Sequence, residues 1–433
     1  MVAHDLPLQR FSELFGPEFG HGKPFALAPL RAALNALGNP QGRLPPVIHV
    51  AGTNGKGSTI AFMRAIAEAA GLRVHAFTKP HLLRLNERFV VDGEIIGDEP
   101  LIAAVERVWS AGDPTTNPLT QFDAHVAAAF LLFSETPADI TLIETGMGGR
   151  DDSTNVIAKP AATIISPIAL DHQDVLGPTL ADIAIHKAGI LKPGVSAIVA
   201  RQRDEAREVI ETAAEKAGAP LHVQGVHWDA YAAHGRLAVQ TEDETLDLPL
   251  PALAGAHQID NAGLAAAALL YADAPIPNDA FAAGIANARW PARLQALTRG
   301  PFSAPIRAGG GEVWIDVGHN AHAAAALAQA LRAMRDKREA QTIAVVGVRA
   351  RKDAGAFIAA LAAAVDRIIA VPLNEAHIAP AMLVETADVM GVEASAAPSL
   401  AAAMQNAAQS AAPRVLICGS SLLAAEALAA ESV

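Results

Sequence analysis

The stretch HVAGTNGKGST, residues 49–59, decides the fold of the chain around it. It follows the apolar, β-branched run 47–50 and leads into a segment whose apolar residues recur at helical spacing, which predicts a strand, a glycine turn and a helix. Three glycines within six residues allow backbone N–H groups to point at phosphate oxygens. The stretch departs from the strict phosphate-loop pattern GxxxxGK[ST], because Val50 replaces the first glycine and Gly57 follows Lys56.

Two interpretations of this stretch are open. A glycine-rich turn between a strand and a helix needs no ligand, but the strand before it and the helix after it favour a nucleotide-binding loop. In that interpretation Lys56 reaches the terminal phosphates, and the hydroxyl of Ser58 or Thr59 holds Mg²⁺. The loop residues assigned to the nucleotide are Gly52, Thr53, Asn54, Gly55, Lys56, Gly57 and Ser58.

The composition argues against several functional classes. With 433 residues the chain is long enough for two domains, and its 51% hydrophobic and 18% charged residues indicate a globular, helix-rich protein. A formal charge of −12 argues against a nucleic-acid partner, which requires a strongly basic face. The single cysteine, Cys418, suits a reducing compartment, and the sequence predicts neither a signal peptide nor a membrane span. We therefore expect a cytoplasmic protein without a membrane partner.

Strand-like and helical segments alternate along most of the chain, which is typical of an α/β fold with parallel sheets. Periodicity lapses over 288–311, and a β-rich piece covers 221–249. We expect a P-loop ATPase domain with a mostly parallel sheet over residues 1–296 and a smaller, Rossmann-like α/β domain over 297–433. The predicted strands are 47–50, 140–144, 163–166 and 196–200 in the first domain, and 313–317, 342–348, 367–371, 392–394 and 414–419 in the second.

Further polar residues follow these predicted strands. Glu144 ends the strand 140–144 at the edge where open α/β sheets bind ligands, so it is a candidate ligand for Mg²⁺. His172 follows the next strand, where it could converge with Glu144, and Lys187 lies on the helix after it. A single histidine is more commonly structural and a single lysine is usually solvated. We therefore assign His172 and Lys187 a role only if other site residues lie beside them.

Another polar group lies near the predicted domain boundary. Asn261 lies in the opening turn of a helix, Arg293 lies in WPARLQ, and Asp316 and His319 end the first strand of the second domain. Asp316 could bind a ribose hydroxyl, and His319 or Arg293 a phosphate. A capping and hinge cluster would need no ligand, and the residues by themselves favour that interpretation.

Taken in order, these segments resemble the folylpolyglutamate synthase/dihydrofolate synthase family of the Mur ligase superfamily. The similarity extends over nearly the whole chain, and in that superfamily the phosphate loop has the form GTNGKG[ST]. The blocks that carry it are AGTNGKGS, KPHLLRLNERF, LTQFDAHVAAAFLLF, ETGMGGRDDSTN, LDHQDVLG, IAIHKAGILKPG, HQIDN, WPARLQ, DVGHN and ICGSSLL.

The resemblance implies a set of ligands and site residues. It implies ATP as co-substrate, one or two Mg²⁺ ions, and a carbamylated Lys187, whose added oxygens make a lysine suitable for a metal site. The implied metal residues are Ser58, Glu144, His172 and Lys187, the adenosine-side residues Asn261, Arg293 and Asp316, the pterin-side residues Thr120, Asp151, Asp152 and Ser153, and the catalytic residues Lys56, Lys187 and His319.

Five positions depart from the family pattern. Lys79 replaces a serine that lies near a magnesium ion in the family, and an ammonium group cannot ligate a cation, so the number of Mg²⁺ ions is open. His186 replaces the usual Glu before the modified lysine, Ala292 the Gly of WPGR, Ala321 the Pro of AHNP, and Asp123 the Glu of an FE pair.

The function that the resemblance implies is ATP-dependent amide formation through an acyl phosphate. L-glutamate is added to dihydropteroate, to the γ-carboxyl of folates, or to both, and small molecules are the only partners of an expected monomer. The alternatives are a folylpolyglutamate synthase with one activity, another Mur-type amino-acid ligase, and a nucleotide-binding module without enzymatic activity. Ligases acting on UDP-muramoyl peptides carry a whole domain before the loop, whereas residues 1–51 precede Gly52 here, so we expect that alternative to fail.

Overall fold

A computed structural model of the chain describes residues 5–17 and 26–431. The chain divides into two units, each considered by itself below. The first comprises Met1–Ala169, Gln173–Ala252 and Ile259–Arg289, and the second comprises Leu170–His172, Leu253–Gln258 and Trp290–Val433. The domain limit proposed between residues 296 and 297 stays a prediction.

An eight-stranded sheet forms the centre of the first unit. Its spatial order is β4-β3-β2-β5-β1-β6-β7-β8, and all neighbours are parallel except β3 and β4 at one edge. In the centre Val50 lies opposite Glu144, so the phosphate loop and the strand-end acid leave the same edge of the sheet. The strands are β1 (Val47–Ala51), β2 (Val74–Phe77), β3 (Phe89–Val91), β4 (Glu94–Ile95), β5 (Ile140–Glu144), β6 (Ala162–Ile165), β7 (Ser196–Val199) and β8 (Leu221–Val223).

Helices cover this sheet through two apolar clusters. One cluster packs the first, second, fourth and fifth helices, and the other packs the seventh and eighth helices with β6 and β7. An antiparallel meander of β9 (Asp229–Ala233), β10 (Arg236–Gln240) and β11 (Thr245–Pro249) adds a small second sheet. The helices are α1 (Leu6–Phe15), α2 (Leu27–Ala36), α3 (Lys56–Ala69), α4 (Asp98–Ala111), α5 (Gln121–Glu135), α6 (Gln173–Leu176), α7 (Leu180–Ala188), α8 (Asp204–Ala217), α9 (His257–Tyr271) and α10 (Asn278–Asn287).

The helix that follows the phosphate loop is held by a close helix–helix contact. Gly284 of α10 lies so near to α3 that a Cβ atom added there would stand 2.4 Å from the backbone N and Cα of Ile66. Because α3 is buried along most of its length, its position and that of the loop before it depend on this packing.

The second unit has its own six-stranded sheet, in the order β12-β13-β17-β14-β15-β16. Only β12 is antiparallel to its neighbour. The strands are β12 (Gln295–Leu297), β13 (Glu312–Ile315), β14 (Thr342–Val346), β15 (Arg367–Ala370), β16 (Glu393–Ala396) and β17 (Arg414–Cys418), and the helices are α11 (Ser303–Ala308), α12 (Ala321–Lys337), α13 (Ala354–Ala362), α14 (Pro380–Val389), α15 (Leu400–Ala407) and α16 (Ser421–Glu431).

The α/β class and the mostly parallel sheets predicted from the sequence are confirmed. All nine strands predicted from the sequence lie within a few residues of observed strands. The periodicity did not identify α1, α2, α4, α5 or the strands β2 to β4. In the part of the chain that the structure describes, no helix has both the length and the apolar character needed to cross a membrane.

The contact between α10 and α3 leads to a stability prediction. We expect Gly284→Ala to destabilise the first unit by about 1–3 kcal/mol, because the new methyl group meets backbone rather than a movable side chain. Calorimetry should show the unfolding midpoint lowered by roughly 2–4 °C per kcal/mol. The control is Gly42→Ala, where the added Cβ has nothing within 4 Å. Equal midpoints for both variants would contradict this account of the packing.

Candidate functional site

The loop between β1 and α3 has a backbone that glycine alone accommodates at two points. Gly52 has a φ of +143°, and a Cβ added there would lie 1.9 Å from the Oγ of Ser166. Gly55 has a φ of +89° as the residue before α3, and its added Cβ would lie 2.4 Å from the Oδ1 of Asn261. Asn261, predicted from the sequence as an adenosine-side residue, therefore lies directly against the loop.

The loop is also tied to the segment after β6. The backbone N–H groups of Thr53 and Asn54 donate to the carbonyl of Pro167 over 3.0 and 3.2 Å. The Thr53 hydroxyl donates to the carbonyl of Ala169 and accepts from its N–H, both over 3.1 Å. These bonds hold the first half of the loop before any ligand binds.

Two lysines converge on one carbonyl oxygen of the loop. The Nζ of Lys56 donates to the carbonyl of Gly52 over 3.1 Å, and the Nζ of the buried Lys187 donates to the same oxygen over 2.7 Å. Lys56 also lies 3.7 Å from Oε1 of the buried Glu144, whose Oε2 accepts from the backbone N–H of Lys79 over 3.0 Å. Three predicted site residues, Lys56, Glu144 and Lys187, are therefore brought together beside the loop.

The side chains at this point fit a hard divalent cation. Glu144 and the buried Ser58 supply oxygen atoms, which Mg²⁺ prefers, and the buried hydroxyl of Thr59 has no hydrogen-bond partner among the described residues. Lys187 as an amine offers no oxygen, so only its carbamate would contribute. No cluster of three or more His, Cys, Asp or Glu side chains within 5–17 and 26–431 is placed to hold a metal. Phosphate oxygens of a nucleotide would have to complete the coordination.

His172 belongs to the second unit, where it neighbours a buried carboxylate. Its backbone, with a φ of +53°, donates to Oδ1 of Asp171 over 2.8 Å, and its side chain is 41% exposed. Asp171 also meets the Nζ of Lys352 at 2.5 Å, the Nε2 of His319 at 3.4 Å and the Nδ2 of Asn320 at 3.2 Å. The expected convergence of His172 with the strand-end acid stays a prediction.

Asp171 carries a strongly stabilised negative charge. Burial alone would raise the pKa of Asp171, but the hydrogen bond with His319 and the positive charges of His172, His319 and Lys352 together hold it well below its ordinary value. Sequence reasoning missed both Asp171 and Lys352. Asp171 lies in the block LDHQDVLG next to His172, so its position in that block was the signal that could have identified it.

Asp316 has both carboxylate oxygens engaged by backbone. It is 5% exposed, and its oxygens accept from the N–H groups of Leu294 over 2.8 Å and Gly318 over 2.6 Å. Arg293 lies between two residues with positive φ, Ala292 at +54° and Leu294 at +44°, and its buried Nε has no partner in the described chain. Asp316 therefore caps the turn that carries Arg293, and the expected contact of Asp316 with a ribose hydroxyl stays a prediction.

The pterin-side residues form a second cluster in the first unit. Asp152 is 3% exposed, and its Oδ2 accepts from the N–H of Met147 over 2.7 Å. Its Oδ1 accepts from the N–H and the hydroxyl of Thr154 over 3.0 and 2.5 Å. Burial raises the pKa of Asp152 above its ordinary value, and these hydrogen bonds and the charge of Lys79 oppose that rise.

The N-terminus of α5 joins this cluster. Thr120 caps α5 and exchanges hydrogen bonds with Asp123, whose other oxygen accepts from the hydroxyl of Ser153 over 2.6 Å. The sequence identified Asp123 only as a departure from the family pattern, whereas the structure makes it the link between Thr120 and Ser153. Asp151 forms an ion pair with Arg150 instead, with 2.9 Å between the Nε of Arg150 and the Oδ2 of Asp151.

An aromatic ring and an ammonium group lie beside Asp152. The Nζ of Lys79 stands 4.9 Å from the ring centre of Phe122, within the range of a cation–π interaction. A Cβ added to Gly146 would lie 2.3 Å from that ring and 3.1 Å from Oδ2 of Asp152, so this glycine admits the ring close to the carboxylate. At such a site the carboxylate can accept an N–H donor of a flat heterocycle, while the aromatic ring stacks against that heterocycle.

Comparisons with known proteins identify the family of the chain. The family model described as "Mur ligase middle domain" matches residues 50–269, and the model "Mur ligase, glutamate ligase domain" matches residues 305–421. The chain is 36% identical over 332 residues to a dihydrofolate synthase/folylpolyglutamate synthase of Bacillus subtilis, with 73% of each chain covered.

Solved structures extend the similarity over the full length. E. coli FolC in complex with DHPP and ADP matches with a TM-score of 0.85 and 30% identity, over 99% of this chain and 98% of that one. A bifunctional folylpolyglutamate synthase/dihydrofolate synthase with Mn, AMPPNP and L-glutamate bound matches with a TM-score of 0.86 and 28% identity, over 100% and 99% of the two chains.

The tight approach at Gly52 predicts a loss of nucleotide binding. Gly52→Ala would push the loop away from Ser166, so we expect the affinity for Mg²⁺ and AMPPNP, measured by titration calorimetry, to fall about tenfold or more. Gly218→Ala is the matched control, because Gly218 also has a positive φ but an added Cβ there has nothing within 4 Å. Unchanged affinity in the Gly52 variant would contradict the role given to this loop.

Proposed function

The chain belongs to the Mur ligase family, as an ATP-dependent ligase of its dihydrofolate synthase/folylpolyglutamate synthase group, and we propose that it joins L-glutamate to a pteroate-type acid. The acids are dihydropteroate and the γ-carboxyl group of folates that already carry glutamate. The observation that carries the proposal is the meeting of Lys56, Lys187 and Glu144 at the glycine loop of the first unit.

The reaction has two steps. An oxygen of the acid's carboxylate attacks the γ-phosphorus of ATP, ADP leaves, and an acyl phosphate forms. The amine of L-glutamate then attacks the acyl carbon, a tetrahedral intermediate forms, and inorganic phosphate leaves as the amine loses a proton and the amide bond is made. Because negative charge moves among the phosphate oxygens, the protein acts mainly by positioning groups and by stabilising that charge.

Lys56 is the main cation that stabilises the negative charge on the phosphate oxygens. Its ammonium group lies at the first turn of α3, between the Gly52 carbonyl and Glu144, and in this proposal its flexible side chain turns to the terminal phosphates. The loop residues 52–58 and the N-terminus of α3 surround the phosphates. Asn261, Arg293 and Asp316 contact the adenosine side, and His319 adds positive charge when protonated.

Ser58, Glu144, His172 and a carbamylated Lys187 would hold one or two Mg²⁺ ions. Bound Mg²⁺ neutralises charge on the transferring phosphoryl group. Lys187 is 4% exposed and its Nζ is held by the Gly52 carbonyl, so a carbamate on that nitrogen would be kept beside the loop rather than in bulk water.

The acid binds at the pterin-side cluster in this proposal. Asp152 accepts an N–H group of the pterin, and the ring of Phe122 stacks against the pterin ring. Thr120, Asp151 and Ser153 are further proposed contacts of the acid. Lys79 differs from the family serine, and its position over Phe122 supports a contact with the acid rather than with a metal ion.

A loss-of-function variant tests the catalytic role of Lys56. We expect Lys56→Ala to lower the turnover number at least about 100-fold, because the variant lacks the cation that stabilises the transferring phosphoryl group. Phosphate release measures turnover, and circular dichroism should show an unchanged fold. Lys159→Ala, at an exposed lysine of the same unit, is the control and should keep normal turnover. Near-normal turnover of the Lys56 variant would refute the assignment.

The substrate requirement separates the proposed function from its alternatives. We expect sustained ADP formation over many turnovers only when an acid and L-glutamate are both present, since the acid accepts the phosphoryl group and glutamate consumes the acyl phosphate. Steady-state assays with dihydropteroate and with a reduced folate monoglutamate in turn should both give activity. Activity with the folate but not with dihydropteroate would indicate a folylpolyglutamate synthase that lacks the dihydrofolate synthase activity. ATP hydrolysis independent of both substrates would argue against the ligase.

A further inference from the structure

A buried chain of hydrogen bonds runs from β1 to the pterin-side cluster. The Nε2 of His49 lies 2.8 Å from the hydroxyl oxygen of Thr154, and that oxygen lies 2.5 Å from Oδ1 of Asp152. His49 and Thr154 are fully buried and Asp152 is 3% exposed. None of these contacts involves the phosphate loop itself, and neither His49 nor Thr154 has a role in the reaction as derived above.

The direction of this chain follows from its donors and acceptors. The two oxygens of Asp152 face three donors, the N–H of Met147 and the N–H and hydroxyl of Thr154. A hydroxyl has one proton, so a Thr154 hydroxyl that donates to Asp152 must accept from His49. His49 is therefore the Nε2–H tautomer, and burial lowers the pKa of His49 to about 3, which keeps the ring neutral.

Packing alone does not explain a histidine at this position. Its Nδ1 is buried without a hydrogen-bond partner in the described part of the chain, and an unpaired buried polar atom destabilises the fold. An aliphatic residue would fill the same place in β1 without that cost. The recorded hydrogen bond that His49 makes with its side chain is the one to Thr154, so the benefit of the histidine lies in orienting that hydroxyl.

We propose that His49 and Thr154 are positioning residues that orient the Asp152 carboxylate for an N–H donor of a pterin ring. This inference rests on the proposed function, because it needs Asp152 to bind the acid. His49 fixes the Thr154 hydroxyl, that hydroxyl and the Thr154 N–H occupy Oδ1, and the Met147 N–H occupies one side of Oδ2. One lone pair of Oδ2 is then left for a ligand, and its direction is fixed. His49 stands three residues before Gly52, so one strand sets both the phosphate loop and the recognition of the acid.

Two pairs of variants test this inference. Thr154→Val and His49→Leu remove the relay, whereas Thr154→Ser and His49→Gln keep a hydroxyl and an N–H donor. We expect the first pair to raise the KM for dihydropteroate about tenfold or more and to leave the KM for ATP within about twofold. For Thr154→Ser and His49→Gln we expect both KM values to stay close to those of the wild-type protein. Thermal unfolding of each variant identifies any that does not fold.

A measurement on the unchanged protein complements the variants. Nitrogen-15 NMR of histidine-labelled protein should show His49 as the neutral Nε2–H tautomer, and an Nδ1–H tautomer or a charged ring would overturn the inference. Equal changes in the two KM values, or no change on Thr154→Val, would also overturn it. If the wild-type protein binds ATP but has no activity with any pteroate-type acid, the proposed function is refuted. Failure of this inference and failure of the proposed function are therefore distinguishable.

Discussion

The carbonyl oxygen of Gly52 is the point on which the candidate site depends. It accepts hydrogen bonds from Lys56 and Lys187, and it can do so because Gly52 has a φ of +143° and no Cβ to meet Ser166. Lys56 also lies 3.7 Å from Oε1 of Glu144, so a cation and an acid stand together beside the backbone of the loop. A triphosphate at this loop would bring negative charge to Lys56 and to the N-terminus of α3, where backbone N–H groups and the helix dipole favour an anion.

Much of the fold could be predicted because its signals are local. The strand, glycine turn and helix at residues 47–69 follow from a β-branched run, positive-φ glycines and helical spacing, and Val50 and Glu144 then meet because adjacent parallel strands share an edge. The long buried α5 was not predicted, since it is covered on nearly all sides and its apolar residues show little periodicity. The short edge strands β3 and β4 carry too few residues for an alternating pattern.

The parts of the site that escaped prediction depend on contacts between distant segments. Asp171 acquires its importance from Lys352 and His319, more than one hundred residues away, and nothing in its local sequence reports those charges. His49 lies within the quoted loop stretch, yet its partner Thr154 lies 105 residues further along the chain. The residues predicted best are those of a single local motif, such as the loop between β1 and α3.

The central claim is that Lys56, Glu144 and the glycine loop form one phosphate and metal site. The most direct measurement is a crystal structure of the chain with Mn²⁺ and AMPPNP, using anomalous scattering to locate the metal. The account predicts a γ-phosphate bound by the Nζ of Lys56, which then no longer faces Glu144, and an anomalous peak beside the Glu144 carboxylate. A nucleotide bound away from residues 52–58, or a metal peak distant from Glu144, would contradict it.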